Sequence, residues 1–279
     1  MRFGVALPQY GPATAEGLTT AARQAEDLGF DDVWVADHIA VPVGAPYPPS
    51  FLLEALATLS FAAAVTTRIG LGTSVLVLPL RQPVVAAKQV ATLDVLSGGR
   101  LTLGLGAGWL REEFEACNVE YRKRGDLMDE AIAVLRACWA SAPTSFTGPT
   151  VSFTDMKVQP LPGRHIPMWI GGVSERALRR AVEHGDGWTG AFQTVDDIAG
   201  VVKRLRIDRP EPEFTLSTRI DVDGLSGDLD ALRRELDSLA GLGITHVLTA
   251  PAQRGLDGWL ASVETLWGVF GDYREGGRA

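Results

Sequence analysis

Eight short, near-continuously apolar runs alternate along this chain with longer amphipathic stretches, and few folds accept that order. The predicted strands cover 2–8, 32–36, 69–78, 100–107, 167–170, 187–190, 214–222 and 244–249. The predicted helices cover 15–28, 51–65, 83–97, 126–139, 174–184, 195–205, 228–242 and 256–270. Leu18, Ala21, Ala22, Ala25 and Leu28 recur at helical spacing before Gly29, and Pro83 suits a first helical position. Ser50 is the expected cap of helix 51–65, which is apolar almost all round. Such a helix needs cover on more than one side, and a subunit interface is one way to provide it.

Strands that are apolar throughout fit a parallel sheet covered by helices. The 279 residues divide into eight pairs of about 35 residues, close to the ~250 residues of an ordinary (β/α)8 barrel. The expected fold class is therefore α/β, a single (β/α)8 TIM barrel over residues 1–279. An open doubly wound sheet is the competing arrangement. Segment 141–165, rich in Pro, Gly and Thr, reads as a loop or hairpin excursion inside that one domain, because the alternation resumes at once.

Composition narrows the function classes. The chain is 46% hydrophobic and 22% charged, which argues for a packed core and against disorder. A net charge of −8 disfavours nucleic acid and anionic membrane as partners, though not a small anionic ligand in a locally basic pocket. Two cysteines, Cys117 and Cys138, and four histidines make neither a disulfide framework nor a metal cluster, so no metal is expected. No apolar run approaches the ~18 residues of a membrane span, and the start lacks a signal-peptide pattern, so the expected location is cytoplasmic.

In a (β/α)8 barrel the chemistry sits at the C-terminal strand ends. Asp37-His38 is the most reactive dipeptide there, since histidine can move protons near neutral pH and a carboxylate can orient it. The plainer alternative is a histidine hydrogen-bonded to its own loop. Gly171-Gly172-Val173-Ser174 joins a strand to a helix and resembles a phosphate cradle, or else an ordinary turn with a serine cap. Gly104-Leu105-Gly106-Ala107-Gly108 lacks dinucleotide-fingerprint spacing; its glycines either let a flat ring approach backbone or serve tight packing. Trp109, Trp169, Trp188 and His246 are candidates for an aromatic wall, with burial in the core as the alternative. His165 and His184 read as a loop and a helix-end residue. Neither cysteine has a partner that would make it a nucleophile, and neither a Walker loop nor a nucleophile elbow is present.

Several segments in order carry a resemblance: RFGVALPQ at the start, LGFDDVWVADHI over 28–39, RIGLGTSVLVLPLRQP over 68–83, SGGRLTLGLGAGW over 97–109 and IPMWIGGVSERALRRAVEHGDGW over 166–188. Together they resemble the bacterial luciferase-like superfamily, and within it the oxidoreductases that use the deazaflavin coenzyme F420. The resemblance implies a homodimeric barrel with a flavin-type ring across the strand ends. It implies that Thr73-Ser74-Val75 forms a bulge with a non-prolyl cis peptide at Ser74–Val75, backing one face of the ring. It also implies that His38, with Asp37 beside it, contacts the ring or exchanges a proton, and that Gly171, Gly172, Val173 and Ser174 hold phosphate. Ala107, Gly108 and Trp109 complete the expected cofactor-binding set.

Two departures refine this. Trp109 stands where the sugar-phosphate dehydrogenase branch has an acidic proton donor, which disfavours that substrate. Ala107 stands where bacterial luciferase has a basic residue near the FMN phosphate. The expectation is an oxidoreductase moving a hydride between F420 and a small organic substrate, with His38 catalytic and Arg111, Arg176 and Arg180 as a basic rim for the cofactor's acidic tail. The rivals are an FMNH2-dependent monooxygenase and a non-catalytic flavin-binding protein. A separate enzyme that reduces the cofactor would then be a natural partner.

Overall fold

The protein is described from a computed structural model covering residues 1–11, 13–45, 47, 49, 51–191, 193–251 and 255–274. In chain order the strands are β1 (Arg2–Ala6), β2 (Asp32–Val35), β3 (Gly70–Thr73), β4 (Leu76–Val77), β5 (Leu101–Gly106), β6 (Thr144–Thr147), β7 (Ser152–Met156), β8 (Met168–Gly171), β9 (Gly187–Ala191), β10 (Thr215–Asp221) and β11 (His246–Ala250). The helices are α1 (Ala15–Leu28), α2 (Ala55–Val65), α3 (Pro83–Leu96), α4 (Arg111–Ala116), α5 (Arg124–Ala140), α6 (Glu175–His184), α7 (Val195–Asp208), α8 (Leu229–Gly241) and α9 (Gly255–Phe270).

The strands pair in the order β3, β2, β1, β11, β10, β9, β8, β5, β4, and a further β3–β5 pairing closes the ring. Every pairing within it is parallel, so β3, with β4 as its continuation beyond a break, makes an eight-stranded barrel. β6 and β7 form the antiparallel hairpin expected within 141–165. The open-sheet alternative is thereby excluded.

Local chemistry explains the boundaries. The Thr14 hydroxyl accepts the Gly17 N–H at the start of α1, and Gly29 at φ 100° ends it. Pro83 opens α3 behind a Gln82 cap. α2 begins at Ala55 rather than at 51, because the Glu54 side chain accepts the Ala57 N–H and takes the capping role. Ser50, the expected cap, lies outside the described residues. The segment expected to be irregular after β5 contains α4, with Glu113 and Phe114 buried.

Most of the core lies between barrel and helices. The barrel's own interior is filled by Trp34 and Trp169, stacked 5.1 Å apart, with Leu248. Strand glycines make room for these indoles. A Cβ on Gly4 or Gly72 would collide with Trp34, and one on Gly187 would lie 2.8 Å from Trp169 Cδ1. At the N-terminal end of the barrel His246 Nε2 is 2.9 Å from Asp32 Oδ1, its Nδ1 is 2.7 Å from Ser217 Oγ, and the Trp34 indole N–H donates to Asp32. This buried polar group plugs the end away from the functional mouth.

Candidate functional site

The C-terminal strand ends surround one cleft of about 780 Å³. Asp37, His38, Ser74, Val75, Ala107, Gly108, Trp109, Gly171, Gly172, Val173 and Ser174 all lie in its walls, as the strand-end argument expected. Thr73 does not. It is fully buried below the floor, where its hydroxyl donates to the Gly104 carbonyl at 2.7 Å, because strand alternation turns it away from its neighbour Ser74.

The Ser74–Val75 peptide is cis, as the resemblance implied, and it marks the break between β3 and β4. Val75 enters the space that Gly106 and Gly171 leave. A Cβ on Gly171 would come within 3.0 Å of Val75 Cγ1, and one on Gly106 would strike Cγ2. Gly104 faces the Thr73 carbonyl equally closely. Tight packing thus accounts for Gly104, while Gly106 and Gly108 are tightly packed and also line the cleft, Gly108 at φ 78° and with Phe114 and Val77 against it.

His38 and Asp37 part company. Asp37 binds the Arg81 guanidinium through both oxygens, at 2.6 and 2.8 Å, and accepts the Val77 N–H at 2.7 Å. Burial disfavours the Arg81 charge, but Asp37 and Glu54 outweigh it and raise the Arg81 pKa. The carboxylate beside His38 is instead Glu113 from α4, with Oε2 3.0 Å from His38 Nδ1. The ring lies edge-on to Trp109 at 5.8 Å, and Tyr47 stacks parallel to Trp109 at 6.3 Å.

The far side of the cleft is cationic. Ser174 caps α6 by accepting the Ala177 N–H at 3.2 Å, so the N-terminus of a ten-residue helix faces the cavity beside Gly172. Arg122, Arg124, Arg176 and Arg180 line the same wall. Arg176 and Arg180 are held by Asp129, and Arg176 also by Asp126. Burial would raise the Asp129 pKa, but the hydrogen bonds and charges of Arg180 and Arg176 hold it below the usual carboxylate value. Arg124 lies over the Tyr121 ring at 4.0 Å, and its Nε–H donates to the Gly108 carbonyl at 3.2 Å. Arg111, expected in the rim, lies outside the cleft, over the Tyr121 ring at 5.0 Å.

Of the four candidates for an aromatic wall only Trp109 reaches the cleft; Trp169, Trp188 and His246 are buried. His165 pairs with Asp186 at 2.8 Å and His184 ends α6, both away from the cavity. Cys138 is buried in the core, and burial followed by the charge of Glu113 pushes the Cys117 thiol pKa up, away from thiolate chemistry. No cluster of metal-ligating side chains occurs among the described residues. Sequence reasoning missed Glu113, Arg81, Tyr47, Arg122 and Arg124. Glu113 is the third residue of α4, in a segment whose sequence pattern carried no signal for it.

A family model described as luciferase-like monooxygenase matches residues 1–255. An uncharacterised protein of Mycobacterium tuberculosis is 32% identical over 241 residues, covering 81% of this chain and 82% of its own. An F420-dependent glucose-6-phosphate dehydrogenase of Amycolatopsis mediterranei is 32% identical over 190 residues, covering 67% of this chain and 55% of its own. Among solved structures, a monooxygenase from Streptomyces bottropensis superposes with a TM-score of 0.84 at 18% identity, over 98% of this chain and 99% of that one. That last likeness is one of fold.

Proposed function

From the premise that this chain belongs to the luciferase-like monooxygenase family, we propose that it is an oxidoreductase passing a hydride between the deazaflavin coenzyme F420 and a small organic substrate. The observation that carries the reading is the polarity of the cleft: His38 and an aromatic pair on one side, a helix N-terminus and four arginines on the other. The relative from Amycolatopsis supports the choice of F420.

The residues present fit such a group. Ser74 and Val75 make a projecting wall for one face of a flat ring, and Ala36, Ala107 and Gly108 leave the space beside it free of bulk. Gly171–Ser174 and the start of α6 suit phosphate, and Arg122 and Arg176 suit further negative charge. Bound here in reduced form, a deazaflavin supplies the hydride. His38 exchanges the accompanying proton at the cleft wall, and Trp109 with Tyr47 excludes water and packs against the substrate. Trp109, an uncharged ring, stands in the cleft wall where the sugar-phosphate branch has an acidic proton donor, so the favoured substrate is small and uncharged on that side.

The same reading includes a second copy of the chain. α2 carries no charged side chain, and Val85 and Leu96 of the adjoining α3 are 53% and 72% exposed. This apolar stripe is the proposed contact between two protomers.

Side-by-side fluorescence titration with F420 and FMN tests the cofactor. Binding of F420 at least about tenfold tighter, roughly 1.4 kcal/mol, is expected. Preference for FMN overturns the reading in favour of a flavin-dependent monooxygenase. Tight F420 binding without oxidation of its reduced form by any substrate points to a non-catalytic carrier.

A further inference from the structure

Glu113 lies in a segment where the sequence showed no chemistry, yet its side chain is 1% exposed and fully engaged. Oε1 accepts the backbone N–H groups of Ile39 and Ala40, the two residues after His38. Oε2 faces His38 Nδ1 at 3.0 Å, and the His38 side chain is itself 9% exposed. One buried carboxylate therefore holds both the loop that carries His38 and one nitrogen of its ring. Trp109, meeting the ring edge-on, limits its rotation from the other side.

We propose that Glu113 is the positioning residue that fixes the tautomer of His38. A carboxylate accepts hydrogen bonds, so the ring proton is placed on Nδ1. Nε2 is left as the nitrogen open to the cleft, with a lone pair in the neutral ring and a proton to give in the charged ring. This rests on the reading of His38 as the proton-exchanging group. In reduction of the substrate the electron pair travels with the hydride, and the proton passes from Nε2 to the substrate atom that gains electron density. In the reverse direction Nε2 takes that proton back. Nδ1–H stays in place in both directions, and Glu113 faces the positive charge of the doubly protonated ring.

The alternative is that Glu113 serves only to tie the 38–40 loop to α4. Glu113→Gln separates the two roles. Its amide oxygen can still accept from Ile39 and Ala40, so the loop tie persists. Its NH2 group then faces Nδ1, and a donor there requires Nδ1 to be the bare nitrogen.

The measurement is 15N NMR of the histidine rings in the cofactor-free protein, with the His38 signals assigned by their absence in His38→Asn. In the wild type the neutral His38 ring is expected to carry its proton on Nδ1. In Glu113→Gln it is expected on Nε2. With F420 and substrate, kcat of the variant should fall by about 100-fold or more, while KM stays within about threefold. A bare Nδ1 in the wild type overturns the proposal, and that result needs no folded variant. An unchanged tautomer or an unchanged kcat in Glu113→Gln also overturns it. The NMR arm requires no cofactor, so a protein that rejects F420 but shows the tautomer switch would refute the cofactor reading and leave the role of Glu113 intact.

Discussion

Asp37 and His38 are neighbours in sequence with unrelated duties. The first is locked in the cleft wall by Arg81 and the second is held by Glu113 from another element. The position of His38 at a strand end was readable from pattern, because strand ends are where a barrel presents reactive groups. The identity of its carboxylate partner was not, because that depends on where α4 docks, 75 residues away. A second histidine shows the same logic with the opposite outcome. His246 meets Asp32 and Ser217 in a Ser–His–Asp arrangement, but at 0% exposure it has no access to substrate. Burial by itself raises the Asp32 pKa, yet the charge and hydrogen bond of His246, the Trp34 indole N–H and the charge of Arg2 outweigh it and leave the pKa below 3.8. A lowered folded pKa means stability that is present above the unfolded value and lost as pH falls through the folded one. Asp32→Asn is therefore expected to unfold about 3 kcal/mol more easily than the wild type at about pH 6, and the gap should narrow toward about pH 3. Urea unfolding at the two pH values checks this; a gap that widens in acid would show that the Asp32 charge is not stabilising.

At the scale of elements, the glycine-rich strands invite a misleading expectation. Glycine weakens a strand, and replacing it with alanine ordinarily strengthens the backbone by roughly 0.5–1 kcal/mol. In this barrel β3 passes directly across the Trp34 ring, and a Cβ on Gly72 has nowhere to go. Gly72→Ala is expected to cost about 1–3 kcal/mol, because overpacking a rigid indole stack outweighs the backbone gain. A lowered urea midpoint with an unchanged m-value would be the signature. The period and length of most helices were legible, and α1 and α9 fall within a residue of expectation. The start of α2 was not, since Glu54 rather than an earlier serine supplies the cap. The strand expected over 69–78 is two short pieces, β3 and β4, with Ser74 and Val75 displaced into the cleft between them. Hydropathy does not register such a break, because both halves and the bulge are apolar or small.

For the whole molecule, closure of the parallel sheet is what turns scattered strand-end residues into a cleft. β3 pairs with β5 through Leu71–Leu101 and Gly72–Thr102, and this brings the segments around positions 38, 74 and 109 to one mouth. The apolar stripe of α2 and α3 lies on the outside of that closed barrel and is the expected interface between two copies. The double variant Val85→Asp, Leu96→Asp should shift the protein from dimer to monomer in light scattering; an unchanged particle mass would remove this face from consideration. Taken alone, the sequence pointed to the (β/α)8 architecture, the strand ends that line the cleft, His38 at one of them and the glycine–serine turn at 171–174, because periodicity and local turn chemistry are properties of neighbouring residues. Only the tertiary structure decided which carboxylate meets His38, that Thr73 lies beneath the floor, that Trp169 and Trp188 are core, and which arginines reach the rim. Those outcomes depend on register and helix docking between segments far apart in the chain, where one residue of slip turns a side chain from the cavity into the core.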